Sequence, residues 1–219
     1  MTSPSQSSPG IELLKKALRI PQSAFGIAVI AVTVLAALFA PLIVPVDPEE
    51  MDFDHLLEGL STGHLLGSDQ MGRDTLSRLI YGARIALMVS LGAVGIGVAI
   101  GVPLGLLSVY FGGYVDDAIM RFMDALVVFP SLLIAVGLAA AMGGSLFTVI
   151  LAIGIANVPW MARVIRSQGL TIRELDFVAA AEAGGMSHLR IIFKHILHNS
   201  VAPVIVQSTL SMGYAVLTE

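Results

Sequence analysis

There is no cysteine anywhere in the 219 residues. Disulfides, thiolate metal sites and cysteine nucleophiles are thereby excluded, and no compartment is indicated either way. Charge is the second shortage: 13% of residues are Asp, Glu, Lys or Arg, against about 25% in an ordinary soluble domain. Where those charges are absent matters more than how few they are. None occurs in residues 20–46, 85–115, 125–162 or 195–218. A helix that crosses a hydrocarbon core about 30 Å thick needs about 20 apolar residues, and each run is long enough. With 56% hydrophobic residues and a mean hydropathy of +0.86, the chain reads as an all-α, polytopic membrane helix bundle. A soluble globule, a nucleic-acid binder and a disordered tail are excluded. The formal net charge of −4 says little about partners, because most of the charges fall between the runs.

Catalytic motifs are missing as well. The chain has no GxxxxGK[ST], no HExxH and no GxSxG, so a Walker-type nucleotide site, a helical zinc site and a nucleophile elbow are not encoded. No Asp, Glu, Lys or Arg lies inside an apolar run, where a proton- or sodium-coupled carrier would place one. The chain therefore reads as a non-enzyme without a cofactor of its own, and any energy it uses comes from another chain.

The polar stretches set the topology. Residues 1–24 begin Ser/Pro-rich, carry Lys15, Lys16 and Arg19, and read as a tail. The apolar run behind them is too long for a signal-peptide core and shows no cleavage site. The spacing predicts a first span over 25–46, an acidic segment with an amphipathic helix over 47–84, and a core over 85–219. Span two lies in 85–113. As one helix the run 125–162 would be about 57 Å long, so it folds back at Gly143-Gly144-Ser145 into spans over 125–142 and 146–161. A fifth span covers 200–218. Nine of the twelve Lys and Arg residues fall in the tail, the 116–124 loop and the 163–199 loop. That asymmetry places these segments, and the N-terminus, on the cytoplasmic side. Ending at Glu219 directly behind the fifth span, the chain reads as a fragment of a longer one.

Several residues invite a role. Gly97, Gly101 and Gly105 stack on one face of span two and suit close approach of another helix. Asn157 and Gln207 could line a polar pathway, with helix–helix hydrogen bonds the favoured reading. Asp74 and Arg78, four apart, are expected to pair on one helix face, and Asp47, Glu49, Glu50, Asp52, Asp54 and Glu58 to form a solvated acidic loop. His188, His195 and His198 adjoin Arg190 and Lys194, which disfavours a metal, and no metal site is expected. The 163–199 loop is too long for a simple connector. Residues 174–183 favour helix, Gly184-Gly185 stops it, and Ser187 is placed to cap a second helix over 189–197. Together they predict a compact knob whose small residues suit a groove on a partner.

Here the residues match a family. Phe177-Val178-Ala179-Ala180-Ala181-Glu182-Ala183-Gly184-Gly185, followed by Leu189-Arg190-Ile191-Ile192-Phe193, resembles the EAA loop of bacterial ABC importer permeases. The stretch Gly67-Ser68-Asp69-Gln70-Met71-Gly72-Arg73-Asp74, then Ser77-Arg78 and Arg84, resembles the signature ahead of span two in the C-type permease of the dipeptide, oligopeptide and nickel branch. The resemblance runs from about residue 25 to the end. It implies a type I ABC importer permease fold, with five spans present and a sixth missing, in the bacterial cytoplasmic membrane. It also implies a homologous B-type permease, two ABC ATPase subunits that carry ATP and Mg, and an external solute-binding protein as partners. In that family Phe177, Ala179, Ala180, Ala181, Glu182, Ala183, Gly185, Leu189 and Arg190 would belong to the coupling loop. This sequence departs from the pattern at Ala179, where the family has Glu, and at His198, where it has Pro. The alternative is an ATP-independent carrier or channel, for which the loop would be dispensable.

Overall fold

The computed structural model describes Lys16, residues 18–44 and residues 46–218, which divide into two compact units, Met1–Leu87 and Met88–Glu219. Among the described residues there are helices and no strands. In the first unit α1 runs Pro21–Leu38 and α2 Ala40–Ile43. Proline at the first position of α1 forfeits only a donor that has no partner there, and Pro41 does the same for α2. Apart from Ala37, α1 buries nothing in its own chain, as expected of a helix whose apolar surface faces lipid. A loop over 46–74 with a single 3-10 turn, Phe53–His55, then leads into α3, Thr75–Phe111.

At 37 residues, α3 is about 55 Å long. It begins ten residues before the uncharged run does, because Leu76, Leu79, Ile80 and Ala83 already have helical spacing and Asp74 caps its first turn. In the second unit, α4 (Gly113–Val128) and α5 (Ser131–Met142) bend by 86° at Phe129-Pro130. The expected span over 125–142 is thus a broken one. Proline cannot donate to the preceding turn, and its ring disfavours helical backbone in the residue before it. The chain reverses at Gly143, and Ser145 caps α6, Leu146–Arg173, by accepting from the Thr148 N–H. This helix outruns its expected end at 161 because Ala162, Ile165, Gly169 and Ile172 continue a buried stripe at helical spacing. Then come α7 (Asp176–Ala183), α8 (His188–Arg190), a π-helical stretch Ile191–Leu197 and α9 (His198–Thr218). The last three are continuous and include one apolar helix of 30 residues, His188–Leu217.

Among the described residues, four helices are long and apolar enough to cross a membrane, or five if the bent pair counts as one span. The main core of the second unit joins α3 (Val102, Leu106, Val109, Tyr110) to α6 (Ile165, Ile172), α7 (Val178) and the π-helical stretch (Ile191, Ile192, Ile196). Close approach of α3 to α6 runs along the glycine face. A Cβ on Gly101 would lie 2.6 Å from the Val158 carbonyl oxygen, and one on Gly105 2.6 Å from that of Ala162. Gly97 lies against Asn157, whose Cβ would be 3.0 Å away.

Candidate functional site

Three features of the second unit carry chemistry or contact. The first is a knob, α7 and the helix behind it, held from beneath by burial. Val178, Ile191, Ile192 and Ile196 are all 3% exposed or less and pack into the core cluster, with Ala181 and Met186 against it. Ala179, Ala180, Glu182, Ala183, Leu189 and Arg190 are exposed, and Phe177 and Phe193 expose 41% and 60%. Ala181 thus serves the anchor, while its neighbours form the outer face. Gly185 sits at φ +73, a conformation that costs an L side chain roughly 1–2 kcal/mol. That turn lets the Met186 N–H reach back to the Ala181 carbonyl at 3.1 Å. The helix expected from 174 starts at Asp176, because Glu174 closes α6. Ser187 occupies the cap position but its side chain makes no capping bond.

The second is a set of polar ties among α3, α4 and α6, one of which reaches the knob. Arg166 on α6 grips Asp116 on α4 with two bonds, 2.6 and 2.5 Å, and the Ser108 hydroxyl donates to the same carboxylate at 2.5 Å. Arg173 donates to the Val109 carbonyl at 2.6 Å, satisfying an acceptor near the C-terminus of α3. Tyr110 Oη meets His188 Nδ1, tying α3 to the first turn of the second knob helix. Arg163 pairs with Asp124 at 2.7 Å. None of these pairs was expected.

The third is a groove of about 740 Å³ walled by α5, α6 and α9, with Asn157, Gln207, Ser211 and Tyr214 among apolar residues. Asn157 donates to Ile153 O and Gln207 to Ser211 Oγ, each four residues away on its own helix. The expected bonds between helices are therefore not what these two amides make; they face the groove.

In the first unit the loop ahead of α3 is built on aspartates. Asp69 Oδ1 accepts from the Met71 and Arg73 N–H groups at 2.8 and 3.0 Å, and Oδ2 from Arg73 Nε at 2.9 Å and Arg78 at 3.2 Å. Asp74, 2% exposed, accepts from the Ser77 N–H at 2.7 Å and hydroxyl at 2.6 Å, and from His64 Nδ1 at 3.1 Å. The expected Asp74–Arg78 pair does not form: Asp74 turns back as the helix cap, and Arg78 reaches Asp69 instead. Gly72, at φ +74, lets the loop close on itself, since a Cβ there would lie 1.7 Å from the Asp52 carbonyl oxygen. Gly67 approaches Glu58 in the same way, at 2.5 Å. Arg84 lies exposed farther along α3, apart from this network.

Charge in the loop follows these contacts. Partial burial pushes the Asp69 carboxyl up, but the Met71 and Arg73 donors outweigh it and hold the group below the ordinary carboxylate range. Burial opposes ionisation of Asp74 too, and Ser77 and His64 overcome it. The His55 ring, then the Asp54 N–H, lower Asp52, and the same bond raises His55.

Comparison with known proteins decides what such a chain is. Residues 97–219 match the model of the family described as binding-protein-dependent transport system inner membrane component. Residues 13–59 match the N-terminal TM domain of oligopeptide transport permease C. The chain belongs to this permease family.

Among its relatives is the dipeptide transport system permease protein DppC of Alkalihalophilus pseudofirmus, 41% identical over 96% of this chain and 69% of the relative. The probable D,D-dipeptide transport system permease protein DdpC of Escherichia coli is 39% identical over 90% of this chain and 66% of its own length. The glutathione transport system permease protein GsiD of Pectobacterium atrosepticum is 37% identical over 83% and 61%.

For a permease of this family, sequence reasoning missed the polar ties and the cluster of Asp52, His55 and His64. Asp116 and Arg166 are 50 residues apart and Tyr110 and His188 78 apart, so no local spacing signals them. Asp74 did carry a signal, a cap residue three positions ahead of Ser77 at the start of a helical pattern.

Proposed function

We propose that the chain is a transmembrane subunit of an ATP-driven importer that moves di- or oligopeptides across the bacterial cytoplasmic membrane. ATP is hydrolysed on two separate ABC subunits, a homologous B-type permease completes the pathway, and an external binding protein delivers the solute. The N-terminus and the 163–199 loop are cytoplasmic, and the 47–84 segment is external. The observation that carries the reading is the knob: its inner residues are locked into the core of the second unit while Ala179, Ala180, Ala183 and Leu189 are left exposed. The names of the relatives support a peptide as solute.

Coupling follows from that anchoring. When the ATPase pair closes, a subunit seated on α7 pulls the knob. Val178 and Ile192 pull on α3 and α6 through the shared core, and Arg166–Asp116 brings α4 along. The groove walled by α5, α6 and α9 offers amide and hydroxyl groups without net charge, which suits a peptide backbone that must bind and then leave.

The test is uptake of a labelled dipeptide by proteoliposomes holding this chain with its partner subunits. Ala180→Glu on the exposed face and Gly185→Val at the turn should each cut ATP-dependent uptake at least about tenfold while the chain stays in the membrane. Uptake by the chain alone, without ATPase, would sink the proposal in favour of a carrier or channel.

A further inference from the structure

The first unit holds a second constellation that transport does not call for. One ligating atom from each of Asp52, His55 and His64 lies within 4.8 Å of the others, and the two imidazole rings stand 5.9 Å apart at 57°. His64 donates Nδ1–H to Asp74, which leaves the lone pair on Nε2 free. A buried carboxylate that orients a histidine in this way is the usual outer support of a metal ligand. The side chain of Asp74 is 1% exposed and that of His64 12%, whereas Asp52 and His55 expose 43% and 51%. The site is therefore rigid at its back and open to solvent at its front.

Its surroundings carry the argument further. The three residues line a cavity of about 440 Å³ together with Glu50, Glu58 and Asp74, and none of the described Lys or Arg residues lines it. Oε2 of Glu58 is shut off from solvent and has no hydrogen-bond partner among the described residues. A carboxylate oxygen in that position is costly unless a cation or a proton satisfies it. Main-chain contacts fix the ligand-bearing part of the loop against 67–72: the Leu57 N–H donates to Asp69 O at 3.1 Å, and the Ser68 N–H to Glu58 O at 3.0 Å.

We infer that Asp52, His55 and His64 form a site for a divalent transition-metal ion of the zinc type, with Asp74 as its outer support and Glu58 as a further carboxylate within the same cavity. Two imidazoles and a carboxylate suit zinc-class ions, whereas calcium and magnesium prefer oxygen alone. Bound there, the ion would clip residues 52–55 to residue 64 and stiffen the loop ahead of α3.

The test is titration of ZnCl₂ into the full chain, free of any histidine tag, in detergent micelles. X-ray absorption at the zinc edge serves as a second readout. The inference predicts one saturable zinc per chain, two imidazole nitrogens at about 2.0–2.1 Å, and affinity at least about tenfold weaker in His55→Ala and in His64→Ala. Asp74→Asn should weaken it by about 10–100-fold without removing a ligand. His64→Gln, which keeps a donor toward Asp74, carries the test if His64→Ala disturbs the fold. His188→Ala, His195→Ala and His198→Ala should leave the affinity unchanged. Absence of saturable binding below about 1 mM, binding indifferent to His55 and His64, or equal competition by Ca²⁺ would each overturn it.

Discussion

The helical knob and the irregular loop ahead of α3 are both short segments held in one shape, and they are held by opposite means. In the knob the fixing groups are aliphatic: Val178, Ile191, Ile192 and Ile196 sit in a core, and its backbone turn at Gly185 meets nothing a Cβ would touch. In the loop they are carboxylates, Asp69 and Asp74, each satisfied by three or four donors, with glycines wedged against backbone. Burial is non-directional and tolerates small shifts, so a knob anchored that way can be pulled as a body. A loop fixed by directional bonds and steric wedges either keeps its shape or loses it. The difference fits one element that transmits motion and another that presents a fixed surface.

The sharpest way to break that contrast is to remove one anchor from the knob. Ile196→Ala deletes a fully buried side chain from the centre of the cluster, with an expected cost of about 2–5 kcal/mol including the cavity. Limited proteolysis should then cut within 174–197 while the loop over 46–74 stays protected. Equal protection of both regions in the variant would show that the knob does not depend on its core contacts.

The reciprocal experiment is Gly72→Ala. The added Cβ collides with backbone rather than with a flexible side chain, and the positive φ adds strain, so a loss of roughly 2–3 kcal/mol is expected in the loop. Proteolytic sensitivity should move to 46–74 and leave the knob intact. A milder effect is expected from Arg166→Met, which strips Asp116 of its strongest partner but keeps the aliphatic stem. Because the Arg166 side chain is 35% exposed, solvent screens the loss, and about 1 kcal/mol is expected, read as a small shift in the thermal midpoint of the purified chain.

How much of this was legible beforehand follows the same division. Apolar spans are visible because the absence of charge over 20 or more residues needs no partner to be meaningful. Glycines at 97, 101 and 105 give their spacing directly, and that face lies against α6. The 86° bend at Phe129-Pro130 was half legible: Pro130 marks a place where a kink is favoured, but the uncharged run continues straight through it and hides that the span is broken there. The Asp74 contacts were misread because two local rules compete for one carboxylate, pairing at i,i+4 and capping at i,i+3. The cap wins where the helix begins, since an unsatisfied N–H costs more than an exposed ion pair returns. Long-range ties such as Tyr110–His188 were illegible in principle, as only the folded chain brings them together.

The smallest expected effect, and the most selective, is that of acid. Asp69 is held below its ordinary value of 3.8 in the folded loop, so the unfolded loop binds a proton more readily than the folded one does. Its contribution to stability is therefore complete above pH 3.8 and is lost as pH falls through the lowered folded value. Asp74 shifts in the same direction and reinforces the trend. The aliphatic anchors of the knob have no proton to gain. Hydrogen exchange of the full chain, compared at pH 5 and pH 3 after correction for the intrinsic rate, should therefore show the amides of Met71, Arg73 and Ser77 losing protection while those of Ile192 and Ile196 keep theirs. Raising the salt concentration should weaken the Arg78–Asp69 pair slightly, because both side chains are partly exposed. It should not weaken the knob's anchoring, because the buried side chains that hold it, Val178, Ile191, Ile192 and Ile196, are aliphatic. If acid opened both regions together, the aspartates would be reporting a global transition, and the contrast between a carboxylate-built loop and a core-built knob would fall.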